Sequence, residues 1–185
     1  MGSSFKTKIL GMTAGQIHLL SLILGAASAF QFSGINLNVP LYRRVAHSDI
    51  HVAFSAGLTH NVELHAPINI TYDRVFLNQG GGYNNGTGVF TCPHSGAYVF
   101  MFHGISDSDG QLWLDLMKNG EYMVSGYAHQ TQDYASASNA ILLSLEENDR
   151  VTIQGRGDNW LYNKPDEVYA TFSGFLLYPE YQNPK

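Results

Sequence analysis

The stretch that decides the fold runs from Val75 to Phe102 and reads VFLNQGGGYNNGTGVFTCPHSGAYVFMF. An apolar run leads into a glycine-rich turn at 79–85, and two more strand-like runs follow it. Glycine takes positive φ angles without a steric penalty, so the chain can reverse sharply here. Tyr98, Phe100 and Phe102 alternate along the last run, which places three large rings on one strand face. The stretch predicts the central corner of an all-β domain.

The rest of the chain from His51 onward repeats this pattern of short apolar runs separated by turns. Asn119-Gly120 joins two such runs and is the strongest hairpin signal in the sequence. Beyond the first 29 residues no stretch has convincing helical periodicity. We predict an all-β jelly-roll sandwich of about ten strands. Along it we expect a loop at 58–66, one run from Ile68 to Leu77, and a final strand at 168–178.

Length, composition and charge narrow the classes of function. A chain of 185 residues can bury a core of its own, and aromatic residues at 12% with charged residues at 14% are typical of a packed β-rich domain. The net charge is −5 and the ten Lys and Arg are scattered, so we expect no nucleic-acid partner. The single cysteine, Cys92, cannot form an internal disulfide, and we interpret it as a buried thiol.

The first 29 residues resemble a secretory signal peptide. Lys6 and Lys8 precede a short apolar stretch at 17–24, and Ala27-Ser28-Ala29 fits the small-x-small cleavage rule. We therefore predict cleavage before Phe30 and a secreted, extracellular protein, with a signal anchor as the alternative. The apolar stretch is shorter than the ~20 residues that a spanning helix needs.

Residues 30–50 form a short lead-in to a globular domain that we predict at 51–180. The lead-in contains no Gly-X-Y repeat and therefore predicts no collagen stalk.

An ordered set of motifs resembles the globular head domain of complement C1q. The motifs in the central stretch are Asn78, Tyr83, the segment GVFTCP at 88–93, the segment GAY at 96–98, and Phe100. Outside it they are AFSA at 53–56, Leu116 with KNG at 118–120, LSL at 143–145, DRV at 149–151 and TFSGFLL at 171–177. The resemblance covers about 52–178, and the chain departs from many relatives of that family because it lacks the collagen stalk.

This resemblance implies compact homotrimers about a threefold axis, with Phe54, Phe172 and Phe175 as core or interface residues. It implies a secreted recognition protein of innate immunity that binds carbohydrate or other ligands on microbial or cell surfaces, with lectin-like binding as one form. The alternative is a secreted signalling ligand or extracellular-matrix assembly module of the C1q and tumour necrosis factor type, with a cell-surface receptor as partner. No catalytic signature is present in the sequence, and we expect no enzyme.

The segment from Arg156 to Lys164 is the predicted ligand-binding loop. Asp158, Trp160 and Tyr162 combine rings with polar groups, which suits sugar recognition by stacking and hydroxyl hydrogen bonds. Arg156 and Lys164 could instead pair with an anionic ligand. The alternative for Trp160 is that it packs onto the rim of the domain.

Calcium is the one cofactor that the sequence leads us to consider. Complement heads can place an Asp-Tyr pair at the trimer apex, so the resemblance implies calcium at Asp133 and the Tyr134 carbonyl, in the polar loop 130–139. Asp107-Ser108-Asp109-Gly110 resembles a fragment of a calcium loop, but we interpret it as a hairpin loop because the bidentate glutamate is missing. The eight histidines show no metal-binding spacing and are interpreted as ordinary surface or core residues.

Two sequons predict N-glycosylation at Asn69 and Asn85. Asn85 lies in the glycine-rich turn, where a glycan would meet solvent. Asn69 lies in a predicted strand, where neighbouring backbone would crowd a glycan.

Overall fold

The protein is seen here as a computed structural model that describes residues 50–107, 110–157 and 160–180. The predicted signal peptide at 1–29 and all but the last residue of the lead-in lie outside the described residues, as do Asp109 and Asp158. No helix long and apolar enough to cross a membrane occurs in the described part of the chain.

The described residues form thirteen β-strands and fold as an all-β domain, as predicted. The strands are β1 (Ala53–Gly57), β2 (Val62–Glu63), β3 (Ile68–Asn69), β4 (Arg74–Gln79), β5 (Tyr83–Asn84), β6 (Val89–Thr91), β7 (Gly96–Ile105), β8 (Gly110–Lys118), β9 (Glu121–Gln130), β10 (Ser136–Leu145), β11 (Arg150–Gly157), β12 (Trp160–Leu161) and β13 (Thr171–Pro179). Four of them, β2, β3, β5 and β12, have only two residues, which explains why about ten were expected.

Two antiparallel sheets build the sandwich. The five-stranded sheet has the order β10-β7-β13-β1-β4. The second sheet has the order β5-β6-β11-β8-β9, with β3 paired to β11 off this path. A separate pair, β12 with β2, lies outside both sheets. This is the two-sheet arrangement of a jelly roll.

Aromatic rings join the sheets in the core. The ring of Phe54 in β1 lies 4.9 Å from the ring of Phe90 in the other sheet and 4.9 Å from that of Phe172. The predicted face of Tyr98, Phe100 and Phe102 points inward, and all three rings are buried. Period-two alternation therefore located the core correctly.

The side chain of Asn78, at the start of the glycine-rich turn, bonds the backbone of Tyr83 on the other side of the turn. Asn78 Nδ2 donates to the Tyr83 carbonyl at 2.8 Å, and Asn78 Oδ1 accepts from the Tyr83 amide at 3.1 Å. Just beyond it, Gly88 has a φ of 69°, and a Cβ there would lie 2.2 Å from the Ile70 carbonyl oxygen. Only glycine fits this close approach of the two segments.

The predicted hairpin at Asn119-Gly120 is confirmed. Both residues have positive φ, 53° and 84°, as a tight hairpin turn between β8 and β9 requires. The Asn119 amide also donates to Asp149 Oδ1 at 2.7 Å, which ties the turn to the start of β11.

Several predicted boundaries were wrong. The predicted loop at 58–66 contains β2, and Trp160 lies in a strand rather than a loop because β12 pairs with β2. The single run at 68–77 is two strands, β3 and β4, because the chain crosses between sheets while Ile70 and Tyr72 turn into the core. The polar loop 130–139 is shorter than predicted, since β9 continues to Gln130 and β10 begins at Ser136. The last strand begins at Thr171 rather than 168.

Candidate functional site

Three tyrosines from two separate segments form a row that we call the tyrosine cluster: Tyr134, Tyr162 and Tyr169. The ring of Tyr134 lies 4.8 Å from that of Tyr162, which lies 5.7 Å from that of Tyr169. Tyr134 is exposed and the other two are half-buried. Tyr134 and Tyr162 were predicted for different sites, one for calcium and one for a ligand, and the structure brings them together.

Main-chain hydrogen bonds fix the two segments that carry the cluster. Buried Ser106, just after β7, donates its amide to the Ala135 carbonyl at 2.8 Å, and its Oγ accepts from the Ala135 amide at 3.1 Å. The Tyr162 amide donates to the Ile105 carbonyl at 2.8 Å. The end of β7 therefore sets the separation of Tyr134 and Tyr162.

The third ring is placed by Asn163, a buried polar residue that the sequence did not single out. Its Oδ1 accepts from the backbone amides of Tyr169 and Ala170, at 3.0 and 2.8 Å, and its backbone N–H donates to Asn61 Oδ1 at 2.7 Å. These bonds fold the segment 163–170 back on itself and bring Tyr169 beside Tyr162. A polar residue next to an aromatic one was the only available signal for this role.

An ion pair lies at one end of the cluster. Lys164 Nζ donates to Glu167 Oε2 at 2.8 Å, and the Tyr169 hydroxyl donates to the same oxygen. The Lys164 hydrogen bond, aided by that of Tyr169, lowers the pKa of the Glu167 carboxyl. The bond to Glu167 raises the pKa of Tyr169, and a hydrogen bond with Tyr162 raises the pKa of Tyr134. The cluster thus presents neutral rings and one compensated ion pair.

Arg156, predicted for the same loop as Trp160 and Tyr162, has a different set of contacts. It lies in β11, where its Nε donates to Asp115 Oδ2 at 2.6 Å and its guanidinium stacks 4.2 Å above the Trp113 ring. The structure therefore divides the predicted ligand loop. Trp160, Tyr162 and Lys164 belong to one end of the domain, Arg156 belongs to a sheet face, and Asp158 lies outside the described residues.

The predicted calcium ligands are exposed. Asp133 Oδ1 accepts from the Tyr134 amide at 2.8 Å, a local bond that leaves the Tyr134 carbonyl as the second oxygen. No group of three or more His, Cys, Asp or Glu that could hold a metal occurs among the described residues of a single chain. Calcium takes about six to eight oxygens, so Asp133 and the Tyr134 carbonyl of one chain would not be enough to hold it.

Both sequon asparagines are exposed. Asn85 follows β5 in the turn before β6, and Asn69 is the second residue of β3. The crowding expected at Asn69 is not seen at its side chain, which points away from the core while Ile70 points into it.

The chain matches known proteins over most of the described region. A family model described as the C1q domain matches residues 53–177. Caprin-2 of Danio rerio is 38% identical over 143 residues, which is 72% of this chain and 15% of Caprin-2. The chain therefore spans only a small part of that relative's length.

Two solved structures have the same fold. The globular domain of zebrafish complement 1qA protein has a TM-score of 0.57 at 23% identity, covering 70% of this chain and 99% of that one. Murine APRIL at pH 5.0 also has a TM-score of 0.57, at 14% identity, with coverage of 69% and 100%. At these identities the likeness shows the fold alone.

Proposed function

The chain belongs to the C1q domain family, and from this premise we propose that it is a secreted, homotrimeric recognition protein of innate immunity. It binds carbohydrate on microbial or cell surfaces in a lectin-like manner, through the tyrosine cluster. It acts as a binding module and not as an enzyme. The Tyr134–Tyr162–Tyr169 row is the observation that carries the choice of ligand.

Support for the trimer comes from the outward face of the five-stranded sheet. Leu142, Val99, Phe175 and Ala53 are cross-strand partners and form one apolar row across four strands. Leu142 is 63% exposed, and Phe175 is exposed while Phe54 and Phe172 are in the core. Apolar rows of this kind mark association sites, and trimers are what the family resemblance implies.

Support for a sugar ligand comes from the chemistry of the tyrosine cluster. Tyrosine rings stack on the C–H faces of sugars, and their hydroxyls exchange hydrogen bonds with sugar hydroxyls. The cation at the end of the cluster, Lys164, is already paired with Glu167. The cluster therefore favours neutral sugars over strongly acidic ligands.

Weak sites gain strength from the assembly. Three copies present three tyrosine clusters, so the second and third contacts on an arrayed surface are effectively intramolecular. We expect modest affinity for isolated sugars and much tighter binding to arrayed ones. Calcium, held by Asp133 and the Tyr134 carbonyl of each copy, would supply a cation next to the cluster. Asp133→Ala should then weaken binding only where calcium is present, and a chelator should remove the difference.

A glycan array with purified wild-type protein, Tyr162→Ala and Trp160→Ala tests the proposal. Each variant should weaken binding by roughly 1–3 kcal/mol, the range for interface anchors. Tyr122→Ala is the matched control, since Tyr122 is an exposed tyrosine outside the cluster, in β9. Unchanged binding in both Tyr162→Ala and Trp160→Ala would refute this site.

The alternative is a secreted signalling ligand or matrix assembly module. It is favoured by one observation, that Tyr134 of the cluster and Trp160, two residues before Tyr162, are exposed. Tyr and Trp are enriched in protein interfaces as well as in sugar sites. High-affinity binding to a single cell-surface receptor, with no glycan bound on the array, would select this alternative.

A further inference from the structure

A second aromatic row lies on the outward face of the other sheet. Arg156 in β11, Trp113 in β8 and Tyr127 in β9 are direct cross-strand partners, and we call them the outer-sheet row. The Arg156 guanidinium is 4.2 Å from the centre of the Trp113 ring. The centre of the Tyr127 ring, on the neighbouring strand, is also 4.2 Å from the centre of the Trp113 ring. Tyr127 is 47% exposed and the Arg156 side chain 39%.

A hydrogen-bond network beside the row, on the same face of the sheet, holds it in place. Asp115 is 6% exposed, and its carboxylate accepts from Arg156 Nε at 2.6 Å and from Ser125 Oγ at 2.5 Å. The ion pair therefore cancels the charge of Arg156 and aims its guanidinium at Trp113. The row is a fixed and locally neutral aromatic surface, and the proposed carbohydrate site does not use it.

One sequon opens onto the same face. In β3, Asn69 is the cross-strand partner of Gln154, which is in turn the partner of Asp115. Direct partners point to the same side of a sheet, so Asn69, Gln154 and Asp115 all lie on the face that carries the outer-sheet row. Strands are about 4.8 Å apart, so Asn69 lies on a strand about 10 Å across the sheet from that of Trp113. The bond from the Ile70 amide to the Ile153 carbonyl, 2.8 Å, anchors this end of β3.

We propose that an N-glycan on Asn69 docks on the outer-sheet row and covers it. The covalent step joins Asn69 Nδ2 to the anomeric carbon of a lipid-linked oligosaccharide, while the lipid diphosphate leaves and the amide loses one proton. The neutral core sugars then pack against the exposed side of the Trp113 and Tyr127 rings. Their hydroxyls reach the amide of Gln154, which lies in β11 between Asn69 and β8. The occupant of this face is thus the chain's own glycan, and the inference rests on the proposed export from the cell.

The second sequon supplies an internal control. Asn85 lies in the turn between β5 and β6, where its amide bonds the Asp73 carbonyl at 3.3 Å. A glycan there starts from a turn and not from the face that carries the row. Both glycans are carried by the same folded molecule, so a difference between their release rates reports on the surface around each glycan.

The experiment uses full-length protein secreted from animal cells and digested, without denaturant, by peptide N-glycosidase. Mass spectrometry of peptides measures occupancy and the release rate at each site. Ring stacking of this kind corresponds to a factor of about two to ten. We expect release from Asn69 to be about two to ten times slower in wild type than in Trp113→Ala, with the rate at Asn85 unchanged. Trp113→Phe, which keeps a ring, should retain the protection.

The outcomes separate this inference from the function proposed above. Occupancy at Asn85 with an empty Asn69, or equal release from Asn69 in wild type and Trp113→Ala, would overturn the docking and leave the carbohydrate site intact. Two empty sequons in retained protein would overturn docking and export together. Faster release at both sites in Trp113→Ala would indicate that this variant unfolds. The test then passes to Trp113→Phe: faster release from Asn69 in that variant, with the Asn85 rate unchanged, would overturn the docking. Binding of an added glycan or protein to glycosylated wild type through Trp113 would also overturn it, since the face would be open.

Discussion

The outward faces of the two sheets obey the same alternation but differ in their polar groups: among the described residues, only the second carries an ion pair whose carboxylate is buried. On the five-stranded sheet the outward row of Leu142, Val99 and Phe175 is apolar and makes no hydrogen bonds through its side chains. On the other sheet the outward positions combine the rings of Trp113 and Tyr127 with the ion pair of Arg156 and Asp115, whose polar groups satisfy each other. Leaving the apolar row of the first face in water costs free energy, whereas the ion pair of the second face keeps its polar groups hydrogen-bonded. One sandwich therefore has one face that suits the proposed trimer and one face that suits solvent or the proposed glycan.

The largest expected effect comes from placing a charge on the apolar face. Leu142→Asp should abolish the trimer, because a carboxylate buried at an apolar interface has no partner and loses its hydration. The monomer should still fold, since Leu142 is 63% exposed in the single chain. Light scattering should give the variant about one third of the wild-type mass.

The matched control is the same charge on the opposite face. Tyr127→Asp alters a side chain that is also exposed, but on the face assigned to solvent and glycan. It should leave the trimer mass unchanged. If both variants dissociate, or neither does, the contrast between the two faces does not govern assembly.

Parts of this contrast were readable from the sequence. Alternation along Tyr98, Phe100 and Phe102 identified the buried side of β7, because period two is a local property of one strand. The Asn119-Gly120 hairpin was equally local. The apolar run at Val75 to Leu77 could not be placed in this way. All three side chains are apolar yet exposed, and β4 is the edge strand of its sheet.

The candidate site was only half visible in the sequence. Trp160, Tyr162 and Tyr134 were predicted from residue type and family resemblance, but nothing in the sequence joins Tyr134 to Tyr162. That contact depends on where the end of β7 meets both segments, through Ser106 and Ile105. Tyr169 was missed because its position depends on the side chain of Asn163. Long-range register and one buried amide set the geometry, and neither leaves a local pattern.

A second, smaller effect tests the hydrogen-bond network of Asp115 beside the outer-sheet row. Asp115→Ala should lower the free energy of unfolding by about 1.5–3 kcal/mol, since it removes hydrogen bonds to a charged group and leaves Ser125 and Arg156 without their acceptor. Ser173→Ala on the other sheet is the comparison, where the hydroxyl pair with Ser55 at 2.8 Å should be worth only about 0.5–1.5 kcal/mol. Urea unfolding measures both. A smaller loss in Asp115→Ala than in Ser173→Ala would contradict the role of the network.

The smallest expected effect concerns an ion pair that lies outside both faces. Lys164 and Glu167 are exposed, unlike buried Asp115, so their bond should matter to titration more than to stability. The Lys164 hydrogen bond lowers the pKa of Glu167 below its ordinary 4.5. A lowered pKa in the folded state means that the pair's contribution is complete above pH 4.5 and disappears as the pH falls through the folded value. Carboxyl carbon NMR should therefore show Glu167 titrating below pH 4.5 in wild type and closer to it in Lys164→Met. Tyr169→Phe removes the other hydrogen bond but leaves the charge of Lys164 in place, so it should move the pKa of Glu167 in the same direction by less. An unchanged titration in Lys164→Met would mean that the ion pair does not persist in solution, and the cation of the tyrosine cluster would then be available to an anionic ligand.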